Sequence, residues 1–179
     1  GVILHLSGDE KPLKEARDQQ MVPGALMDEK SIGTNAMGTA LAEKRPVQVS
    51  GDEHFLHLLQ RWTCSAAPII DEDDHLVGVI NLTGNSNLAH PHTLGLAVAA
   101  AQSIESAFAA QRITQRLSEA HTFAFALMNN LSYGVFAIDM QDDIQWVNDT
   151  ACRILQTRRT IFIGKPVDHF LAHWPRMRD

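Results

Sequence analysis

Cysteine is nearly absent: among 179 residues only Cys64 and Cys152 occur, far apart and in different kinds of segment. Two isolated thiols build no disulfide framework, and neither has the close-spaced partner of a zinc site. Reduced thiols in a cytoplasmic protein are the simplest reading. Long apolar runs are lacking as well. The longest near-continuous one covers residues 94–101, far short of the roughly 20 that cross a bilayer, and no basic–apolar–small signal pattern opens the chain. Positive charge is scarce: 15 Lys and Arg stand against 21 Asp and Glu, a formal net charge of −6. Nucleic-acid binding needs clustered cations to neutralise phosphates. The two small basic clusters, Arg158 with Arg159 and Arg176 with Arg178, read instead as solvated surface. These absences argue against a disulfide scaffold, a membrane span and direct DNA binding by this segment. What is present is 45% hydrophobic and 20% charged residues, the composition of a folded globular chain with one domain, or one small domain and part of another.

The local patterns predict a mixed α+β chain. Residues 1–6 read as a strand ended by the turn at Gly8-Asp9, residues 12–20 as a short surface helix or loop, and residues 21–32 as a loop around Pro23-Gly24. Thr34 is placed to cap a helix through Lys44, with Ala36, Met37, Ala40 and Leu41 at helical spacing. Val47-Gln48-Val49 alternates as a short strand, and residues 54–60 read as helical. Two Val/Ile-rich runs, 63–70 and 76–82, flank the acidic segment Asp71-Glu72-Asp73-Asp74: a β-hairpin with a solvated tip, followed by a polar loop over residues 83–87.

A proline-free, alanine-rich stretch then predicts a long helix from Leu94 to about Asn129. Within it Ala110, Ile113, Leu117, Ala120, Ala124 and Leu127 alternate spacings of three and four, the narrow seam of a coiled coil. Either the helix packs this stripe on its own domain, or it leaves the domain and pairs with a second copy. The change from the broad apolar face of residues 94–108 to Arg112 and Arg116 favours the second reading. The chain restarts after Tyr133-Gly134: a strand at 135–139, a turn at Gln141-Asp142-Asp143, a second strand at 144–147, and a helix capped by Asn148 or Asp149.

Catalytic and metal chemistry find little foothold. His54 with His57, and His90 with His92, are close pairs with no obvious completing ligand. The run 71–74 lacks the Gly and terminal Glu of a calcium loop. Ser31 and Ser65 have no nucleophile-elbow context, and neither a phosphate-binding G-x-x-x-x-G-K-[ST] loop nor a recognition-helix pair occurs. Cys64 is either a sensing thiol or a small buried hydrophobe. No metal and no cofactor is expected.

Five segments carry a resemblance: Ile32-Gly33-Thr34-Asn35-Ala36-Met37-Gly38-Thr39-Ala40-Leu41, Gly51-Asp52-Glu53-His54-Phe55, Trp62-Thr63-Cys64-Ser65-Ala66-Ala67-Pro68-Ile69, Gly78-Val79-Ile80-Asn81-Leu82-Thr83-Gly84, and His90-Pro91-His92-Thr93-Leu94. Together they resemble the GAF domain of the sigma-54-dependent activators that regulate acetoin and glycerol/dihydroxyacetone metabolism. Residues 131–155 resemble the start of a PAS domain, with Asp139 ending its first strand and Asn148 following its second. The resemblance implies a GAF-like sensory domain over residues 1–108 without its opening helix and strand, a helical linker over 109–130, and the opening of a PAS-like domain over 131–179. It implies a regulator rather than an enzyme. Sigma-54 RNA polymerase and DNA would be reached only through ATPase and DNA-binding domains outside this chain.

A mixed fold with helices on an antiparallel sheet leaves a concave site between sheet and loops. The expected lining is Asn35 and Thr39 from the first helix, His54 from the connecting segment, and Trp62 and Cys64 from the hairpin. Such a wall suits a small uncharged metabolite of the diol or hydroxyketone class. Gly33 and Gly38 bracket the helix entry, where a missing side chain lets backbone approach a neighbour or ligand. A homodimer through the 110–127 seam is the expected assembly, with protein docking or simple dimerisation without a small ligand as the alternative function, and a GAF-type redox enzyme, which would lack a resolving cysteine beside Cys64, ranked below both.

Overall fold

The computed structural model describes residues 1–171; the Arg176/Arg178 cluster lies outside the described residues. The chain divides into two compact units, 1–112 and from Ile113 onward. The first unit opens with α1 (Glu10–Asp18), α2 (Glu29–Ile32) and α3 (Ala36–Glu43). Strands β1 (Val47–Ser50), β2 (Trp62–Ile70) and β3 (Leu76–Asn85) follow, and then α4 (His92–Asn130), within which the division falls. The strands form one antiparallel sheet in the order β1-β2-β3. This is the α+β class expected.

The expected hairpin is present and longer than its apolar pattern. Residues 83–85, read as loop, pair with 64–62 in register, because cross-strand pairing on a half-covered sheet outweighs the poor strand preference of Gly and Asn. The acidic tip is tied by its own first residue: one Asp71 carboxylate oxygen accepts from the amides of Asp73 and His75, both at 2.9 Å. The His75 amide bond, first among the causes, holds the Asp71 carboxyl below the usual range.

Other expectations shift. Asn35, not Thr34, caps α3: its side-chain oxygen accepts from the Gly38 amide at 2.9 Å, and its backbone is extended. Asn also ranks above Thr at this position. Residues 1–6 form only an isolated bridge, Val2 to Leu26, supported by the Ile3 amide on the Ala25 carbonyl at 3.0 Å. Their partner is a turn rather than a strand, and Leu4 remains 88% exposed. The loop over 21–32 contains α2, capped by Asp28. Residues 54–60, expected as helix, hold only a 3-10 turn at His57–Leu59, preceded by another at Gly51–Glu53.

Strand alternation divides the sheet cleanly. One face joins Val49, Trp62, Cys64 and Ala66 to Ala36 and Ala40 of α3. The other joins Ala67 to Ala97 and Ala101 of α4, with Ile69, Ile80 and Leu82 around them. Small residues on both sides of that second contact let α4 lie close to the sheet. Polar pins reinforce it: the Ile70 amide donates to Glu105 at 2.8 Å, and Arg112 pairs with Asp73 of the hairpin tip at 2.9 Å.

By length and composition α4 is apolar enough to cross a membrane, with an 18-residue window of mean hydropathy 1.2. The expectation from apolar runs alone missed this. Yet Ala97, Ala101 and Glu105 commit the first part of the helix to the sheet. Along the predicted seam Ala110, Ile113, Leu117, Ala120 and Leu127 are exposed and Ala124 half-buried.

The second unit pairs β4 (Phe136–Ile138) with β5 (Ile144–Val147) and adds α5 (Asp149–Ile154) and α6 (Arg159–Phe162) around Ile144, Val147, Ala151, Phe162 and Val167. Asn148 caps α5 and does more. Fully buried, it accepts from the amides of Ala151 and Val135 and donates to the carbonyls of Met128 and Tyr133, all at 2.8–3.0 Å.

Candidate functional site

The first unit holds a cavity of about 830 Å3. Two-residue alternation along β3 places Val77, Val79, Asn81 and Thr83 in its wall, while Ile80 and Leu82 face α4. Met37 and Leu41 of α3 stand in the wall with Trp62, Met21 and Met27; α1 adds Leu13 and Ala16, and residues 1–9 and Phe108 of α4 add to the lining. Three of the six methionines of the chain thus line one hollow. Thioether side chains, unbranched and polarizable, adapt to irregular shapes.

Of the five residues expected to line a pocket, Trp62 lies in this wall; Cys64 is buried in the same core cluster, and Asn35, Thr39 and His54 stand outside the lining. Trp62 is 3% exposed and its indole N–H donates to Gln19 at 2.8 Å. Cys64 is buried beside it; its sulfur lies 3.4 Å from the Thr83 hydroxyl, and burial pushes the thiol pKa up, which keeps it a neutral, unreactive thiol. Asn35 is spent on α3: besides accepting from Gly38 it donates to the Gly33 carbonyl at 2.9 Å. The Thr39 hydroxyl is buried with no hydrogen-bond partner among the described residues, as is the second ring nitrogen of His54. The first His54 nitrogen lies 3.1 Å from the Gly51 carbonyl, and burial lowers the pKa of the ring.

The glycines act as expected. A Cβ on Gly38 would stand 2.7 Å from the Met27 carbonyl oxygen and 2.9 Å from the Asn35 amide nitrogen. Gly33 has φ +70° and would drive a Cβ into the Phe55 ring. The helix entry is therefore pressed against the Met27 backbone and the Phe55 ring.

Sequence reasoning missed Asn81, Thr83, Gln19 and the methionines. Asn81 and Thr83 were detectable: they share with Val79 the period-two face of a strand whose partner residues are Ala66 and Cys64. The methionines come from a loop and a helix, and nothing in their spacing says they converge.

The histidine pairs are committed locally. His57 bonds Gln60 at 2.6 Å, and the His90 and His92 rings lie 4.7 Å apart. Asp71, Asp73 and His75 cluster on the hairpin tip, but Asp71 is engaged by backbone amides and Asp73 by Arg112.

Residues 2–108 match the GAF domain family. The chain belongs to that family. Behind the GAF domain, residues 125–178 match the PAS domain family. A signal-transduction and transcriptional-control protein of Clostridium beijerinckii is 40% identical over 174 residues, covering 97% of this chain and 28% of its own length. The acetoin dehydrogenase operon transcriptional activator AcoR of Bacillus subtilis is 45% identical over 111 residues, 62% of this chain and 18% of its own. A crystal structure of the Escherichia coli DhaR(N)–DhaL complex superposes with a TM-score of 0.84 at 23% identity, covering 99% of this chain and 63% of that one, and shows the same fold. The GAF and PAS domains here are thus homologous to the sensory domains of several sigma-54-dependent transcriptional activators, and the kinship is with regulators rather than enzymes. The chain spans under a third of the length of the two curated relatives.

Proposed function

We propose that the GAF cavity is a receptor for a small uncharged metabolite and that its occupancy is passed through α4 to the PAS domain, in a cytoplasmic activator whose ATPase and DNA-binding domains lie in other parts of the protein. The observation that carries this reading is an apolar-walled hollow of about 830 Å3 built on the same hairpin that grips α4 through Glu105 and Arg112. Its size is that of sites which enclose small organic ligands. Trp62 forms part of the wall, and Cys64 is buried in the same core cluster. Kinship with an acetoin-operon activator supports a diol or hydroxyketone effector. A ligand shifts the output only by its differential affinity for two arrangements of the helix.

Thermal shift across a panel of diols, hydroxyketones and larger neutral compounds tests the receptor. At least one compound raises the melting temperature of the wild-type chain, and Trp62→Ala and Val79→Trp, which open and fill the cavity, both abolish that rise. A panel without a single binder defeats the reading.

The exposed stripe Ile113–Leu117–Ala120–Leu127 supports a homodimer through the α4 seam, since large apolar side chains at coiled-coil spacing gain by pairing. Light scattering of the Leu117→Glu/Ala124→Glu double variant should show monomers where the wild type shows dimers; an unchanged mass removes the seam. Direct docking of another protein is the second reading, supported by the existence of a DhaR(N)–DhaL complex. It predicts that no metabolite shifts the chain.

A further inference from the structure

Among the described residues α4 contributes one side chain to the lining of the hollow, Phe108. Much of the wall comes from the β3 face turned away from that helix, but Ile69 and Gly78, which pair across the hairpin, line the hollow too. Ile69 packs with Ala67, Ala97 and Ala101 on the α4 side of the sheet, and residues directly opposite on antiparallel strands share a face. At the hairpin end the hollow therefore reaches round to the helix. Gly78 leaves that end open, since a Cβ there would meet nothing within 4 Å. Phe108 borders this space and is 41% exposed.

Phe108 also stands between the two polar pins of α4. Ala97, Ala101, Glu105, Phe108 and Arg112 follow one another at spacings of four, four, three and four, a single stripe of the helix. Glu105, one turn before the ring, accepts from the Ile70 amide at 2.8 Å, where the β2–β3 register shifts between Ile69 and Ile70. Arg112, one turn after it, pairs with Asp73 of the hairpin tip at 2.9 Å. The pins hold the ring against the hollow with apolar surface left uncovered. A ligand covers that surface only while this part of α4 lies on the hairpin, so it favours the attached arrangement over a detached one.

We propose that Phe108 is the residue through which the cavity acts on α4: a ligand with an apolar body packs against its ring and tightens the attachment of the helix to the hairpin. This rests on reading the cavity as a ligand site, and adds to it the contact and the direction of the coupling. The Ile70 amide reports that attachment, because it exchanges its hydrogen only when the bond to Glu105 opens.

Amide hydrogen exchange of the whole chain, with and without the uncharged fluorescent probe Nile red, tests it. Probe fluorescence is expected to rise with the wild type and not with Val79→Trp, whose indole fills the hollow. With the probe bound, the Ile70 amide is expected to exchange about five-fold or more slowly. Phe108→Ala is expected to bind the probe and lose the slowing, and Phe108→Leu to regain part of it. A purely structural role would alter exchange in the free chain and leave the difference made by the probe unchanged. The wild-type measurement decides even where a variant fails to fold. Probe binding without slowing at Ile70, or slowing that survives Phe108→Ala, overturns the role of Phe108 while leaving the cavity a receptor. A probe that does not bind, or that binds Val79→Trp equally well, overturns both.

Discussion

The two faces of the GAF sheet solve the same problem in opposite ways. Against α4, alanines meet alanines: Ala67, Ala97 and Ala101 are at most 3% exposed, and nothing larger than Leu or Ile surrounds them. Against α3 the strands carry bulkier groups, Trp62 and Val79 among them, and the packing stops short of closing. Small side chains bring the helix close over Ala97 and Ala101, and only farther along do Ile69 and, on α4, Phe108 meet the hollow. Larger ones from several separate segments meet around a void. A receptor needs one face of each kind, since an occupant of the hollow is felt only if the sheet behind it is firmly attached to something else.

That contrast can be broken most severely on the closed face. Ala101→Asp buries an unpaired charge against the sheet and should cost on the order of 3–5 kcal/mol, read as a lowered urea midpoint. The same charge at Val79, in the wall of the hollow, should cost less than half as much, because water can follow it. Equal losses at the two positions would mean that the hollow is as tightly closed as the α4 contact. Gly38→Ala comes next: its methyl would collide with the Met27 carbonyl and the Asn35 cap, an overpacking loss of about 1–3 kcal/mol, measurable as a fall in Tm.

His54 should make the stability of the fold depend on pH. Burial lowers its folded-state pKa below the ordinary 6.5, so between those two values the unfolded chain binds more protons than the folded one. Stability is fully present above about pH 6.5 and falls as pH drops toward the folded value. Urea midpoints compared at pH 7.5 and 5.5 should decline less for His54→Gln than for the wild type. The smallest effect is expected from Arg112→Ala, whose partner Asp73 is solvent-exposed; the global unfolding midpoint should not move.

Much of this was legible in the sequence. Val/Ile runs around an acidic tip specified the hairpin, and a proline-free alanine-rich stretch specified α4, because both signals are local and repeat many times. The cap moved by one residue, from Thr34 to Asn35, since both residue types can cap and Asn is the stronger of the two. The N-terminal residues have the apolar run of a strand ended by a turn, but a strand also needs a neighbour of matching length. The pocket residues were the least legible. Asn35 and His54 have the chemistry of ligand contacts, yet their bonds go to Gly33, Gly38 and Gly51. The convergence of Met21, Met27 and Met37 is a tertiary fact with no sequence period behind it.

Asn148 ties the last turn of α4, the approach to β4 and the first turn of α5 into one knot, since its single carboxamide serves backbone atoms of all three. No strand of that knot can loosen by itself without stripping partners from a buried group. The amides of Val135 and Ala151 should therefore exchange their hydrogens together, in one cooperative opening that also frays the end of the long helix.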